Sequence, residues 1–341
     1  MTLAPNQKLG LLITVLLIWT LACRAATRLI IPDTPTPQAT PTLILTATLV
    51  PTLTPSLTPT LVAYEASCPL VVSQIMKDSI STDPFVHGNE EFSEEDVTYM
   101  AHYTVVGDEL KTPLFYPVRE DLEDEQEDRV SHEKIWDLYT HIIPAEQRSL
   151  LKGFVIFTDG REKYLASVNK AKNDRYKWDL NVDILDSTQK TSLTYTLLHE
   201  QGHLLTLNKD QVEALERIDA CPQYFTGKGC SMPDSYINVF FERFWQDLYA
   251  EWLEIDKIEN EQSRENKLNL FYDIYQDQFL TDYAPTSPIE DIAESFTFFI
   301  LEPKPELTSI ASEKILFFYE YPELIELRTQ ILENICGEFK Q

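Results

Sequence analysis

What this chain lacks narrows it before any motif is read. It has no stripe of basic residues: 28 Lys and Arg stand against 55 Asp and Glu, for a formal net charge of −27. Nothing in it is arranged to neutralise a phosphate backbone, which argues against nucleic acid as a partner. Its five cysteines include no Cys-x-x-Cys pair, so a thiolate zinc site finds no support. No internal repeat is present, which removes solenoids and propellers. The early apolar run Leu9–Ala22 spans about 21 Å as a helix, short of the roughly 30 Å of bilayer hydrocarbon. Histidine is scarce as well, at six residues.

The short apolar run follows a segment with a single positive side chain, Lys8, and ends at Thr20-Leu21-Ala22-Cys23. Its length fits a secretory signal better than a permanent membrane span. The residues before Cys23 resemble a bacterial lipoprotein signal, in which the cysteine is lipidated and becomes the new N-terminus. Thr20 departs from the leucine usual at that place, so an ordinary signal peptide or an uncleaved anchor stays open. All three export the rest of the chain. From Pro32 to Pro59 the sequence is built from Thr, Pro, Leu, Ala and Ser in repeated Thr-Pro units. Proline lacks an amide donor and fixes φ, so this stretch reads as an extended tether reaching up to ~120 Å. The expected organisation is a signal peptide at 1–22, a lipidated Cys23 with a Thr/Pro-rich tether to 65, and one globular domain at 66–341, displayed at the cell surface.

Four cysteines remain after Cys23, and an even remainder in an exported domain reads as two disulfides. Cys221 and Cys230 flank a short glycine-containing loop, and Cys68 with Cys336 would clasp the ends of the domain; the other pairings stay open. The acidic surplus is widespread and densest at Glu120–Asp128. It reads as a solvated surface, or as a preference for basic substrates or bound cations.

Periodicity predicts an α+β domain with its sheet first and its helices last. Strands are expected at Tyr99–Val106, Gly153–Thr158, Tyr164–Val168 and Lys177–Leu185. The run at 153–158 is continuously apolar, as in a central strand, and the run at 177–185 alternates like a half-exposed one. A helix is expected over Gln126–Ile143, with Val130, Ile135, Trp136 and Leu138 on its apolar face and Pro144 ending it. Aromatic-rich helical faces follow at 240–245, 267–278 and 312–321.

The chemistry concentrates at His199-Glu200-Gln201-Gly202-His203, an HExxH motif within the helix-like run 191–207. Four-residue spacing puts both imidazoles on one helix face, one turn apart, where they can reach one metal. Glu200 stands beside them as a candidate general base. A catalytic zinc usually takes three protein ligands and keeps one position open. The third is sought in Thr281–Phe296, where Pro288 is suited to start a helix and Glu290 and Glu294 share one side of it. One glutamate can bind the metal while the other orients a ligand histidine. Glu251 is the rival third ligand.

The pair HExGH and Tyr283-x6-Glu290-x-x-Ala293-Glu294-x-Phe296 resembles the catalytic region of the anthrax lethal factor and pro-pro endopeptidase group of zincins. That resemblance implies a zincin-like fold: a small mixed sheet, an active-site helix and a mostly helical C-terminal half. It implies a Zn²⁺ ion on His199, His203 and Glu290, with Glu294 in support, Glu200 as base and Tyr283 facing the oxyanion. It implies hydrolysis of a peptide or protein substrate. The gap from His203 to Glu290 is 87 residues, roughly twice that of compact members. Residues 209–280 therefore read as an insertion over or beside the cleft.

Overall fold

The structure is a computed structural model that describes residues 68–80, 97–160, 164–215, 217–227 and 229–340. The leader at 1–22, Cys23 and the Thr/Pro-rich segment to 65 lie outside the described residues. In chain order come α1 (Pro69–Ile80), β1 (Thr98–Val106), β2 (Glu109–Leu110), β3 (Leu114–Phe115), α2 (Arg129–Ile142), β4 (Leu151–Thr158), β5 (Ala166–Ala171), β6 (Asp174–Asp183) and α3 (Lys190–Thr206). Then follow β7 (Val212–Glu213), β8 (Cys230–Ser231), α4 (Tyr236–Phe244), α5 (Tyr249–Asp256), α6 (Glu261–Ile274), α7 (Pro288–Leu301), α8 (Ile310–Phe318) and α9 (Pro322–Glu338). The class is α+β, with the sheet early and the helices late.

The continuously apolar run at 153–158 does lie centrally. Strand order is β2-β1-β4-β6-β5, with β3 also on β1; β4 is antiparallel to β1 and parallel to β6, and β5 returns antiparallel to β6. Phe154, Ile156, Leu180 and Val182 enter the core with Trp136 and Tyr139 of α2. Fully burying such a side chain stabilises by about 1.5–3 kcal/mol, and this layer fixes the sheet on its helices. The opposite face is more polar. The register aligns His102, Val155, Asn181 and Ser167 in one row across four strands. Gly153 keeps room on that face, since a Cβ there would collide with the side chains of Asp179 and His102.

Two expectations are corrected. The helix placed over 126–143 starts only at Arg129. Residues 123–127 form a separate five-residue helix, and the chain breaks at Asp128 (ψ 68°), whose carboxylate accepts the Ser131 amide as an N-cap. Such a cap is worth about 1 kcal/mol and sets the helix start. Val130, on the side of α2 opposite Ile135, Trp136 and Tyr139, points outward at 61% exposure rather than into the core. The strand expected to be half exposed at 177–185 is buried from Leu180 to Asp183, because β4 and β5 cover it on both edges and helices cover its face.

Both favoured cysteine pairs are joined. Cys68–Cys336 ties the segment before α1 to α9, with Cα atoms 5.7 Å apart, and Cys221–Cys230 closes the loop before β8, at 5.4 Å. Among the described residues no helix is long and apolar enough to cross a membrane.

Candidate active site

Helix α3 is buried on nearly every side, held between the sheet edge, α1 and α7. A helix so enclosed must dispose of its polar groups. Thr194, Thr196 and Thr206 do so by donating their hydroxyls to carbonyls four residues back. Gln201 turns to the rear, where its carbonyl accepts the Tyr139 hydroxyl at 2.9 Å. His199, Glu200 and His203 face the other way, toward the cleft. The two imidazole centroids are 4.7 Å apart and nearly perpendicular.

Helix α7 supplies the carboxylates. Ser287 caps it by accepting the Glu290 amide, and Pro288 opens its first turn, as its sequence suggests. The two helices approach closely at Gly202: a Cβ there would stand 3.0 Å from the Ala293 Cα. That contact brings Glu290 onto the histidines. Its Oε2 lies 3.0 Å from His199 Nε2 and 3.1 Å from His203 Nε2. Glu294 meets the other side of His199, with Oε1 2.9 Å from Nδ1, while its Oε2 accepts from Tyr195 at 3.0 Å and Thr281 at 2.8 Å.

These distances test whether a metal fits. Both ring nitrogens of His199 face carboxylate oxygens. A neutral imidazole has one N–H, so one nitrogen needs either an extra proton or a cation in front of it. With Nδ1 donating to Glu294, Nε2 is left as the metal-facing atom, and the tautomer is set by the carboxylate behind it. Two donors at about 2.0–2.1 Å from a tetrahedral zinc stand about 3.3–3.4 Å apart, so separations of 3.0 and 3.1 Å need only a few tenths of an ångström of relaxation. The donor set of two imidazoles and one carboxylate suits zinc, and the residues fit it.

The electrostatics agree with this crowding. Burial opposes a charge on His199, but hydrogen bonds and the charges of Glu290 and Glu294 outweigh it and hold its pKa well above the usual value. Burial also opposes ionisation of Glu290, yet the charge of His203 and the hydrogen bonds of both histidines hold it well below the usual carboxylate range. Glu200 is different. Burial raises its pKa, with the nearby histidines opposing, and the Val168 amide on β5 donates to it. A carboxylate oxygen of Glu200 lies within 4.8 Å of a ring nitrogen of each histidine. Tyr283 lies with its ring centroid 5.8 Å from that of His199. Burial and its hydrogen bond to Glu290 keep its hydroxyl protonated, well above its ordinary pKa.

Glu251 does not join them. It is exposed on α5 and accepts the Tyr275 hydroxyl at 2.8 Å. The segment 209–280 does line the cleft, through Tyr224, Tyr249 and Trp252 among others. Trp252 also donates its indole N–H to the carbonyls of Pro285 and Thr286, which steadies the turn between Tyr283 and α7. The cleft measures about 1150 Å³ and runs between the sheet edge and this segment.

Some residues that hold the site carry little sequence signal. Tyr195 and Thr281 both donate to the same oxygen of Glu294. Asp291, next to Glu290, is fully buried and pairs with Lys314 of α8 at 2.5 Å and with the Trp245 indole at 2.7 Å. A lysine within the apolar run 310–318 was the available clue. A second carboxylate group, Asp159, Asp183 and Asp186, needs no ion to explain it: Asp183 accepts the amides of Asp159, Leu185 and Asp186. No known family profile, curated protein sequence or solved structure matches this chain.

Proposed function

We propose that the chain is a zinc-dependent endopeptidase with a zincin-like fold, exported and tethered to a membrane through Cys23. The observation that carries this reading is the convergence of His199 Nε2 and His203 Nε2 on one Glu290 oxygen, at 3.0 and 3.1 Å, with Glu294 behind His199. A purely structural site would not need an extra buried glutamate at Glu200 or an open cleft beside it. The even set of disulfides accords with an oxidising, extracytoplasmic setting.

His199, His203 and Glu290 would hold the zinc. When bound, it supplies a Lewis acid that polarises a carbonyl and brings the pKa of water toward neutrality. The protein does the rest. Glu200 takes a proton from the attacking water and passes it to the leaving nitrogen. Its raised pKa narrows the gap to neutral pH, which suits a group that must both accept and release a proton. Glu294 holds the Nδ1 proton of His199 and so fixes the orientation of that ring. Tyr283 turns from Glu290 to the carbonyl oxygen as negative charge grows there. Substrate lies extended between β5 and the aromatic wall of Tyr224, Tyr249 and Trp252.

The test is turnover of a random peptide library by the zinc-loaded chain, read by mass spectrometry, for wild type and Glu200→Gln. Wild type is expected to cut. Glu200→Gln is expected to keep its zinc and lose about 10²–10⁴ of the rate. Undiminished cleavage by the variant would remove Glu200 from the mechanism, and absence of cleavage by wild type would remove the peptidase.

A further inference from the structure

We propose that the cleft selects substrates with acidic side chains two to four residues from the cut bond, on the side where the β5–β6 hairpin and the residues after α3 form its wall. This deepens, and rests on, the peptide-cleaving reading of the same cleft.

The chain carries 55 acidic against 28 basic residues, so a lining drawn evenly from it would be acidic by about two to one. The lining departs from that ratio, with four cations against four carboxylates, two of which are Glu200 and Glu290 of the site itself. Lys170 on β5, Lys172 in the following turn, Arg175 on β6 and Lys209 after α3 all border the cleft. Apart from Glu200 and Glu290, its carboxylates are Asp179 and Asp256. Asp179 stands 3.8 Å from His102, and burial pushes it toward its neutral form.

The cations are not equivalent. Lys170 is anchored, with its ammonium 3.6 Å from the Trp178 ring centre and 3.4 Å from the Leu207 carbonyl at the end of α3. Lys209 spends its charge largely on Asp210, at 2.6 Å. Arg175 leans on Tyr176, donating to its hydroxyl at 3.1 Å. Among the described residues neither Lys172 nor Arg175 forms an ion pair with a carboxylate of the chain. Two cations left without internal counter-charges, at the wall of a cleft in a strongly acidic protein, are suited to a counter-charge brought by the ligand.

Their position follows from strand geometry. Val168 of β5 borders the cleft together with Glu200, which marks the level of the bond to be cut. Lys170 is two residues farther along β5, and Lys172 lies in the turn just past the end of that strand. An extended substrate rises about 3.3 Å per residue, as β5 does, so its side chain two residues from the cut comes level with Lys170, and those beyond it approach the turn that carries Lys172. The negative surface elsewhere repels the same acidic peptide, so selection comes from attraction here against repulsion around it.

The test uses the full zinc-loaded chain and three peptide pools, carrying Glu, Gln or Lys at the flanking positions. Wild type is expected to cut the Glu pool about tenfold faster than the Lys pool in kcat/KM, with the ratio shrinking in 0.5 M NaCl. Lys172→Glu combined with Arg175→Glu should reverse the order with zinc content unchanged. Equal cutting of the three pools, or faster cutting of the Lys pool by wild type, overturns the proposal. A chain that cuts nothing contradicts the peptidase instead, so the same pools, fluorescently labelled, are titrated onto the Glu200→Gln chain by anisotropy. Tighter binding of the Glu pool, lost in the charge-reversed variant, supports the preference even without cleavage; equal binding overturns it. If the reversal leaves peptide preference intact and abolishes binding to phosphatidylglycerol vesicles, the cationic wall is a membrane contact and the proposal fails.

Discussion

Two acid-rich stretches of this chain look alike in sequence and behave differently in the fold. Glu120–Asp128 carries seven acidic residues on a short 3₁₀ turn and a five-residue helix, and most of them are exposed. Glu290–Glu294 carries three, all buried on one helix. In the first stretch water solvates the charges; Asp128 alone has a local task, capping α2. In the second, each carboxylate has its own partners: Glu290 the two histidines, Glu294 His199 with Tyr195 and Thr281, Asp291 Lys314 with Trp245. The same chemical group is a solubilising device where water reaches it and a positioning device where water does not, because a buried charge must be paired.

The comparison can be broken at its strongest point first. Lys314→Ala leaves Asp291 buried without its cation, and is expected to cost about 3–5 kcal/mol in urea unfolding. Replacing both partners by apolar residues of similar volume should recover most of that loss. If the single and double variants unfold alike, Asp291 does not depend on Lys314. Glu294→Gln is expected next, with zinc affinity lowered about 10–100-fold in a chelator competition and the fold retained. An unchanged affinity would make Glu294 a bystander. Smallest of all, changing Glu123, Asp124 and Glu127 together to Gln should move Tm by less than about 2 °C. A drop comparable to that of Lys314→Ala would erase the distinction between the two stretches.

Sequence reasoning reached the local features and stopped where partners come from afar. The 3.6-residue period, the Ser287-Pro288 start and the apolar run at 153–158 are readable because the signal lies within a few neighbours. The paired cysteines were legible for a different reason: four in an even set leave few pairings. The break at Asp128 is hidden because Glu125, Gln126 and Glu127 before it are good helix formers, and only the cap geometry separates the two segments. The burial of β6 depends on β4 and β5 lying on either side, and an alternating pattern does not reveal that. Val130 is apolar, yet the helical period puts it opposite Ile135, Trp136 and Tyr139, and apolar character alone does not separate the two sides. Lys314 and Asp291 are 23 residues apart, so neither announces the other. The cationic cleft wall runs against the overall charge, and composition alone pointed toward basic ligands. It emerges only once the β5–β6 hairpin stands beside α3.

The measurement that tests the central claim most directly is zinc stoichiometry by elemental analysis, on wild type and Glu290→Ala purified side by side. One zinc per wild-type chain, with binding weakened by about a hundredfold or more in the variant, is the expected result. A folded wild type without zinc, or a Glu290→Ala chain that holds it as tightly, would contradict the assignment of His199, His203 and Glu290 as a metal site.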